Sequence, residues 1–176
     1  NIIFFIMIAY ASIGLIISTG AFNGLVSGLL RVLKGKSRAV IIPVFITILG
    51  IASSTIGVFE EAFPFVPIFV GIAIAMGYDA IVGLAIVALG IGIGYAGAVM
   101  NPFTVGMAQS IAELPPMSGA SFRIFCHIAM VVVASAYIMR YAIRIQEDPT
   151  KSLLYGSDMA SHVKADENLE NYRFGI

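Results

Sequence analysis

Ser53-Ser54-Thr55 followed by Glu60-Glu61, and Asn101-Pro102-Phe103-Thr104, are the two places where a largely apolar chain gathers groups that could hold a small polar ligand. Each hydroxyl can donate and accept a hydrogen bond, and the Asn101 amide does both at its two ends. Glu60 and Glu61 are the only acidic residues between Ala39 and Tyr78. A carboxylate at bilayer depth is costly and marks function; there it could hold a proton or a substrate amine. At a surface it would carry little meaning. Pro102 lacks a backbone donor and biases Asn101 away from helical geometry. Residues 80–97 and 103–112 then read as two half-helices with facing ends. The second would offer N–H groups and partial positive charge to an anion, the first carbonyls to a cation. The competing reading is a proline kink in a structural helix, with Asn101 satisfied by a neighbour.

Other patterns carry less. Gly92-Ile-Gly-Tyr-Ala-Gly97 matches the dinucleotide fingerprint, but that motif needs a strand before it and an acidic residue about 20 positions after it. Inside an apolar run, glycine packing between close helices explains it better. Cys126 and His127 have no ligand-type residue at i+3 or i+4, where Met130 and Val131 stand, so no metal pair forms and His127 reads as packed or interfacial. Met100, Met107 and Met130 read as packing residues. No nucleophile–base pair or paired catalytic carboxylates can be assembled, so an enzyme is not expected and no catalytic residue is assigned.

The elements that must position these groups follow from composition. The chain has 176 residues, 59% hydrophobic and only 11% charged, with mean hydropathy +0.97. A domain of this length cannot hide so much apolar surface from water, so lipid is the expected solvent on most sides. Ten basic and ten acidic residues give no net charge, which leaves no electrostatic footprint for nucleic acid. A single cysteine excludes an internal disulfide and a cysteine-rich metal site. Asn1 opens directly on apolar sequence, so the start is not read as a signal peptide, and the chain reads as a piece of a larger membrane protein.

An all-α integral membrane fold is expected. Residues 2–18 form an apolar helix of ~26 Å, close to a ~30 Å hydrocarbon core. Residues 21–33 read as amphipathic. Residues 80–113 would reach ~51 Å as one straight helix and must tilt or break. Residues 122–143 give a further span, and 147–176 a cytosolic linker or tail. Basic residues cluster at 31–38 and 140–151, whereas the 114–121 loop has none. The positive-inside rule puts the first two in the cytoplasm and the loop outside. Segments 39–59 and 62–77 admit two readings, a pair of spans or a re-entrant hairpin with a polar tip in a protein-lined cavity. Charge counting does not separate them.

Thr55-Ile-Gly-Val-Phe-Glu-Glu61 with Pro64-Phe65, Gly94-Tyr-Ala-Gly97 leading to Asn101-Pro102-Phe103, and Met139-Arg-Tyr-Ala142 followed by Asp148-Pro-Thr-Lys-Ser152 together resemble the C4-dicarboxylate anaerobic carrier family. Within it they resemble the subgroup described as basic amino-acid antiporters. The resemblance covers nearly the whole chain. It implies an ion-transporter architecture of two inverted repeats, each with a re-entrant hairpin and a broken helix whose tips meet at the substrate. This chain would be the N-terminal repeat, residues 1–146, with the hairpin at 39–59/62–77 and the broken helix at 80–97/103–113. The tip would be Ser53, Ser54 and Thr55 with Glu60 and Glu61 close by, and the broken-helix loop Asn101, Pro102, Phe103 and Thr104. Sodium-coupled relatives place Ser-Asn-Thr at the tip; here Ser54 holds the middle position, a departure from that pattern.

The expected function is therefore secondary active transport, by antiport or ion-coupled symport, of a small carboxylate-bearing metabolite. An amino acid leads and a C4-dicarboxylate follows. A channel-like or scaffolding membrane subunit is the alternative from another class, separated from a carrier by saturable exchange. No cofactor is expected beyond a coupling Na+ or H+. Expected partners are the substrate, the lipid bilayer and the second repeat of the same protein, with a homodimer left open. A bacterial-type inner membrane is the expected location.

Overall fold

The computed structural model describes residues 2–20, 24, 28 and 39–156. The expected amphipathic segment at 21–33, the basic loop at 31–38 and the tail beyond 156 fall outside the described residues, Gly24 and Gly28 apart. Among the described residues, six α-helices have bounds, in order α1 Ile2–Ser18, α2 Ile41–Thr55, α3 Val66–Ala75, α4 Ala80–Ala96, α5 Met107–Ile111 and α6 Ala120–Glu147. A 3₁₀ turn at Glu60–Phe65 leads into α3, and a wide π turn at Pro102–Gly106 leads into α5. No strand occurs among the described residues, so the all-helical expectation holds. Among them, one helix, Ala120–Glu147, is long and apolar enough to cross a membrane.

The centre of the bundle is α4, which packs against α2, α3 and α6. Its buried residues Val82, Ile86 and Gly90 recur every fourth position, with Gly83, Val87, Ile91 and Gly94 beside them. That stripe meets Ile42 and Ile46 of α2 and Ile72 and Met76 at the end of α3 in one apolar core. Phe45 of α2 and Phe69 of α3 meet edge to face at 4.8 Å. Large apolar side chains remain exposed along α6, among them Phe122, Phe125, Val132, Val133 and Tyr137. A face of that size is not left open to water.

Helix directions follow from the close contacts. Ile46 and Gly50 of α2 approach Gly90 of α4, and Ser53 approaches Gly94, so α2 and α4 run the same way. Between them in sequence, α3 runs back along another side of α4, its Phe69 and Val70 against Gly83. The chain thus makes a helical hairpin, α2 up and α3 down, whose tip at 56–65 lies level with the far end of α4. There α4 stops: Gly97 N–H still bonds Ile93 O, but residues 98–101 are non-helical before the Pro102–Gly106 turn. The apolar run 80–113 is therefore not a single rod.

The opposite end of α4 is held by Asp79. Its Oδ1 accepts from Val82 N at 3.1 Å, capping the helix. Its Oδ2 accepts from the hydroxyls of Tyr141 on α6 and Ser152 beyond it. Leu153 N in turn donates to the Tyr141 hydroxyl at 3.2 Å. One carboxylate thus joins the start of α4, the end of α6 and the segment that follows. Just past α6, the Asp148 carboxyl is held below the usual carboxylate range by the Thr150 hydroxyl and the Lys151 side chain. Asp79→Asn keeps a capping oxygen but removes the anionic acceptor for two hydroxyls. It is expected to cost ~1–3 kcal/mol, read as a lowered thermal midpoint of the detergent-solubilised protein, with little effect from Asp148→Asn at the exposed exit.

Candidate functional site

The hairpin tip and the break in α4 are built into each other. Ser53 is fully buried, and its Oγ donates to Ile91 O at 3.2 Å. Ser54 Oγ accepts from Val99 N at 2.9 Å, while Val99 N and Met100 N also approach Ser54 O at 3.3 and 3.1 Å. Asn101 has 0% exposure. Its Nδ2 donates to Ser53 O at 2.9 Å and its Oδ1 accepts from Phe103 N at 2.8 Å. The broken strand of backbone at 98–103 thus takes its hydrogen bonds from the end of α2, as buried backbone groups must find partners somewhere.

The tip turns at Gly57, whose φ of +86° favours glycine. A Cβ there would lie 3.0 Å from Asn101 Oδ1 and closer to the Phe103 ring. Tyr95 on α4 donates to Gly57 O at 2.8 Å, and its ring meets Phe59 at 5.0 Å. Five residues from three segments therefore brace one joint: Ser53 and Ser54 of α2, Tyr95 of α4, and Asn101 and Phe103 of the break.

The residues singled out from the sequence divide into three groups. Ser53, Ser54 and Asn101 come together directly. Thr104 lies just past the joint with its hydroxyl buried and without a hydrogen-bond partner, and the Pro102 ring opens the wide turn that carries it. Thr55, Glu60 and Glu61 do not join. Thr55 Oγ1 bonds back to Ile51 O within its own helix at 2.6 Å. Glu61 is exposed and Oε2 accepts from Phe59 N at 3.1 Å; Glu60 is half-buried in the same 3₁₀ turn. Of the glycines in the fingerprint-like stretch, Gly94 and Gly97 sit at helix contacts and Gly92 faces open space.

Two residues not chosen from the sequence reach the same joint. Arg123 Nη2 donates to Val99 O at 3.2 Å and Nη1 to Ser118 O at 2.6 Å. His127 rests against Gly97 and Gly50 and is 7% exposed. Their i, i+4 spacing puts both on one face of α6, a signal present in the sequence. Beyond Ser54 and His127 a groove of about 560 Å³ opens between α2 and α6, lined by Thr47, Thr55, Ile124 and Ile128 among others. Gln109 holds the 114–121 loop, donating to Ser118 O at 3.0 Å and accepting from Met117 N at 3.2 Å.

The chain matches the C4-dicarboxylate anaerobic carrier family over residues 1–173. It is 29% identical over 176 residues to "Putative basic amino acid antiporter YfcC" of Escherichia coli (strain K12), covering 99% of this chain and 35% of that protein. A relative in Haemophilus influenzae, named "Uncharacterized protein", is 32% identical over 155 residues, covering 88% of this chain and 30% of its own length. The chain spans about a third of the length of these curated relatives. No solved structure gives a significant match. With a match that runs from end to end of the helices just described, the chain belongs to the C4-dicarboxylate anaerobic carrier family.

Proposed function

We propose that this chain is the N-terminal inverted-repeat half of a multi-pass secondary transporter for a small carboxylate-bearing metabolite, an amino acid ahead of a C4-dicarboxylate. The observation that carries the reading is the joint itself: the tip of a helical hairpin locked into a break in a central helix. Helices α2 and α3 have 15 and 10 residues, ~22 and ~15 Å, too short to cross a ~30 Å core. The end of α2 at Ser54 and Thr55 lines one groove with His127, ~10 Å along α6 from its start. In this proposal α2 and α3 form a re-entrant hairpin entering from the cytoplasm, with the 114–121 loop outside and the segment after α6 inside. Irregular backbone is tolerated at that depth because protein surrounds it. The Thr104 hydroxyl and the groove beside Ser54 face the ligand, and alternating access comes from this bundle moving against the remainder of the protein.

The amino-acid preference is supported by the name of the Escherichia coli relative, and the dicarboxylate alternative by that of the family. Full-length protein reconstituted in liposomes is expected to take up radiolabelled substrate saturably and to exchange it. Linear, non-saturating flux would favour a channel instead. The hairpin is tested separately with Glu60→Cys in a Cys126→Ser background. Slow reaction with an impermeant maleimide, slowed further by substrate, is expected. Fast reaction from the outside, unaffected by substrate, would replace the hairpin with two spans.

A further inference from the structure

The segment between the break and α6 is tied to the break at both ends. It leaves at Asn101, whose carbonyl accepts from Gly106 N at 3.0 Å across the wide turn. It returns through Arg123, whose Nη1 donates to Ser118 O at 2.6 Å and whose Nη2 donates to Val99 O at 3.2 Å. Val99 N in turn donates to Ser54 Oγ at 2.9 Å, so one guanidinium stands between the 114–121 loop and the joint. The chain entering that loop is wound against its preference. Glu113 and Met117 have φ of +54° and +68°, the left-handed region that residues with a side chain seldom adopt. Such backbone persists only where its surroundings over-determine it. Here Gln109 does so; it is 9% exposed. Its Nε2 donates to Ser118 O and Ser118 Oγ, both at 3.0 Å, and its Oε1 accepts from Met117 N at 3.2 Å. Its carbonyl accepts from Leu114 N at 2.9 Å. Met107, Ile111, Leu114 and Met117 are exposed, so hydrogen bonds, more than apolar packing, hold the segment down.

We propose that residues 102–119 form a strap that opens and closes over the break, and that Arg123 is the positioning residue that couples this strap to the hairpin tip. This rests on the transport reading above. The closed strap stores backbone strain at Glu113 and Met117 and is clasped by Gln109. Opening parts Gln109 from Met117 N and Ser118, lets both strained residues return to ordinary φ, and draws Ser118 O off Arg123. The strain released offsets part of the hydrogen bonding lost, which keeps the two states close enough in free energy to interchange. Arg123 then holds Val99 O alone, and residues 98–101 are free to shift against Ser54. The first turn of the strap carries Thr104, so the same movement repositions its hydroxyl. The coupling needs a fork that holds two carbonyls at once, which a guanidinium supplies and an ammonium does not.

The test uses full-length protein in liposomes, its native cysteines replaced, with spin labels at Ile111→Cys on α5 and Val133→Cys on α6, both exposed positions. Radiolabelled L-arginine, L-aspartate and fumarate serve as probes. Two label distances are expected without substrate, with a change in their populations when the probe that is carried is added. Met117→Gly removes the strain at that position and so favours the closed strap. The thermal midpoint should rise, the closed distance should dominate, and the maximal uptake rate should fall about tenfold. A loop with a structural role only would give the higher midpoint at an unchanged rate. Arg123→Gln is expected to lower the maximal rate about 30-fold with a near-normal KM. It should keep both label distances but lose their response to the probe, with Arg123→Lys recovering only part of the rate. Folded Met117→Gly protein at the wild-type rate would overturn the proposal, as would Arg123→Gln protein that raises KM and leaves the rate intact. So would a single label distance that no probe changes, a result that stands even if both variants misfold. Two distances in protein that carries none of the three probes would overturn the transport reading and the coupling with it, an outcome distinct from a strap that does not move.

Discussion

Valine in place of Gly94 is expected to part the hairpin tip from the break and abolish transport. A Cβ at Gly94 would lie 2.7 Å from Gly50 O and 2.8 Å from Ser53 Oγ, and nearer still to Ser53 Cβ. Ser53 Cβ and the Gly50 backbone oxygen cannot rotate out of the way, so the helices themselves must separate. One turn below, Gly90 is under the same pressure, since a Cβ there would lie 2.8 Å from Leu49 Cβ and 3.3 Å from Ile46 O. Small residues four apart let two helix backbones approach closely, as in packed membrane helices. Overfilling such a contact costs ~1–3 kcal/mol or more. The larger loss is functional, because the Asn101–Ser53 and Ser53–Ile91 hydrogen bonds span the same gap. The control is Gly92→Ala, where a Cβ would meet nothing within 4 Å. Uptake and thermal midpoint measured side by side should show G92A near wild type and G94V inactive with a lowered midpoint. Equal behaviour of the two would mean that the close approach of α2 and α4 does not matter.

Much of the helical architecture is legible in the sequence because it depends on local chemistry. Apolar composition and the absence of strand patterns point to helices, and Pro102 announces a place where backbone hydrogen bonds must be found elsewhere. Asp79 ahead of an apolar run is readable as a cap. The site is less legible, because its membership is tertiary. Ser53, Ser54 and Thr55 are consecutive in sequence, but successive helical residues point ~100° apart, so three in a row cannot all face α4. Ser53 and Ser54 do, while Thr55 bonds back to Ile51 O. Nothing local distinguishes the carboxylates of Glu60 and Glu61 at a buried tip from the same groups on the outside of a 3₁₀ turn. In the sequence Arg123 is a stray charge near the end of a span. Its meaning comes from Val99, 24 positions away, and no pattern within one helix reports such a partner.

Removing the Asn101 side chain is expected to stop transport while leaving a folded protein, and the kinetic form of the loss identifies the residue's role. By residue type alone, Asn101 could offer its amide to the ligand. The structure instead uses both amide ends internally, one on Ser53 O and one on Phe103 N. Asn101→Ala leaves that carbonyl and that N–H buried without their partners, each worth ~1–3 kcal/mol. A brace of this kind acts by holding the break against the tip, so its loss should lower the maximal rate about 100-fold or more while residual activity keeps a near-normal KM. A ligand contact would do the reverse and raise KM. Asn101→Asp sharpens the comparison. It keeps an acceptor for Phe103 N, but turns an oxygen toward Ser53 O in place of a donor, so it should be at least as damaging as alanine. Ser53→Ala should be milder, because it removes the hydroxyl bonded to Ile91 O and leaves the Ser53 carbonyl that Asn101 holds. An aspartate variant that transports normally would show that the bond to Ser53 O is dispensable, and the joint between hairpin and break would then have to be held by the Ser53 and Ser54 hydroxyls, Tyr95 and the Phe103 ring.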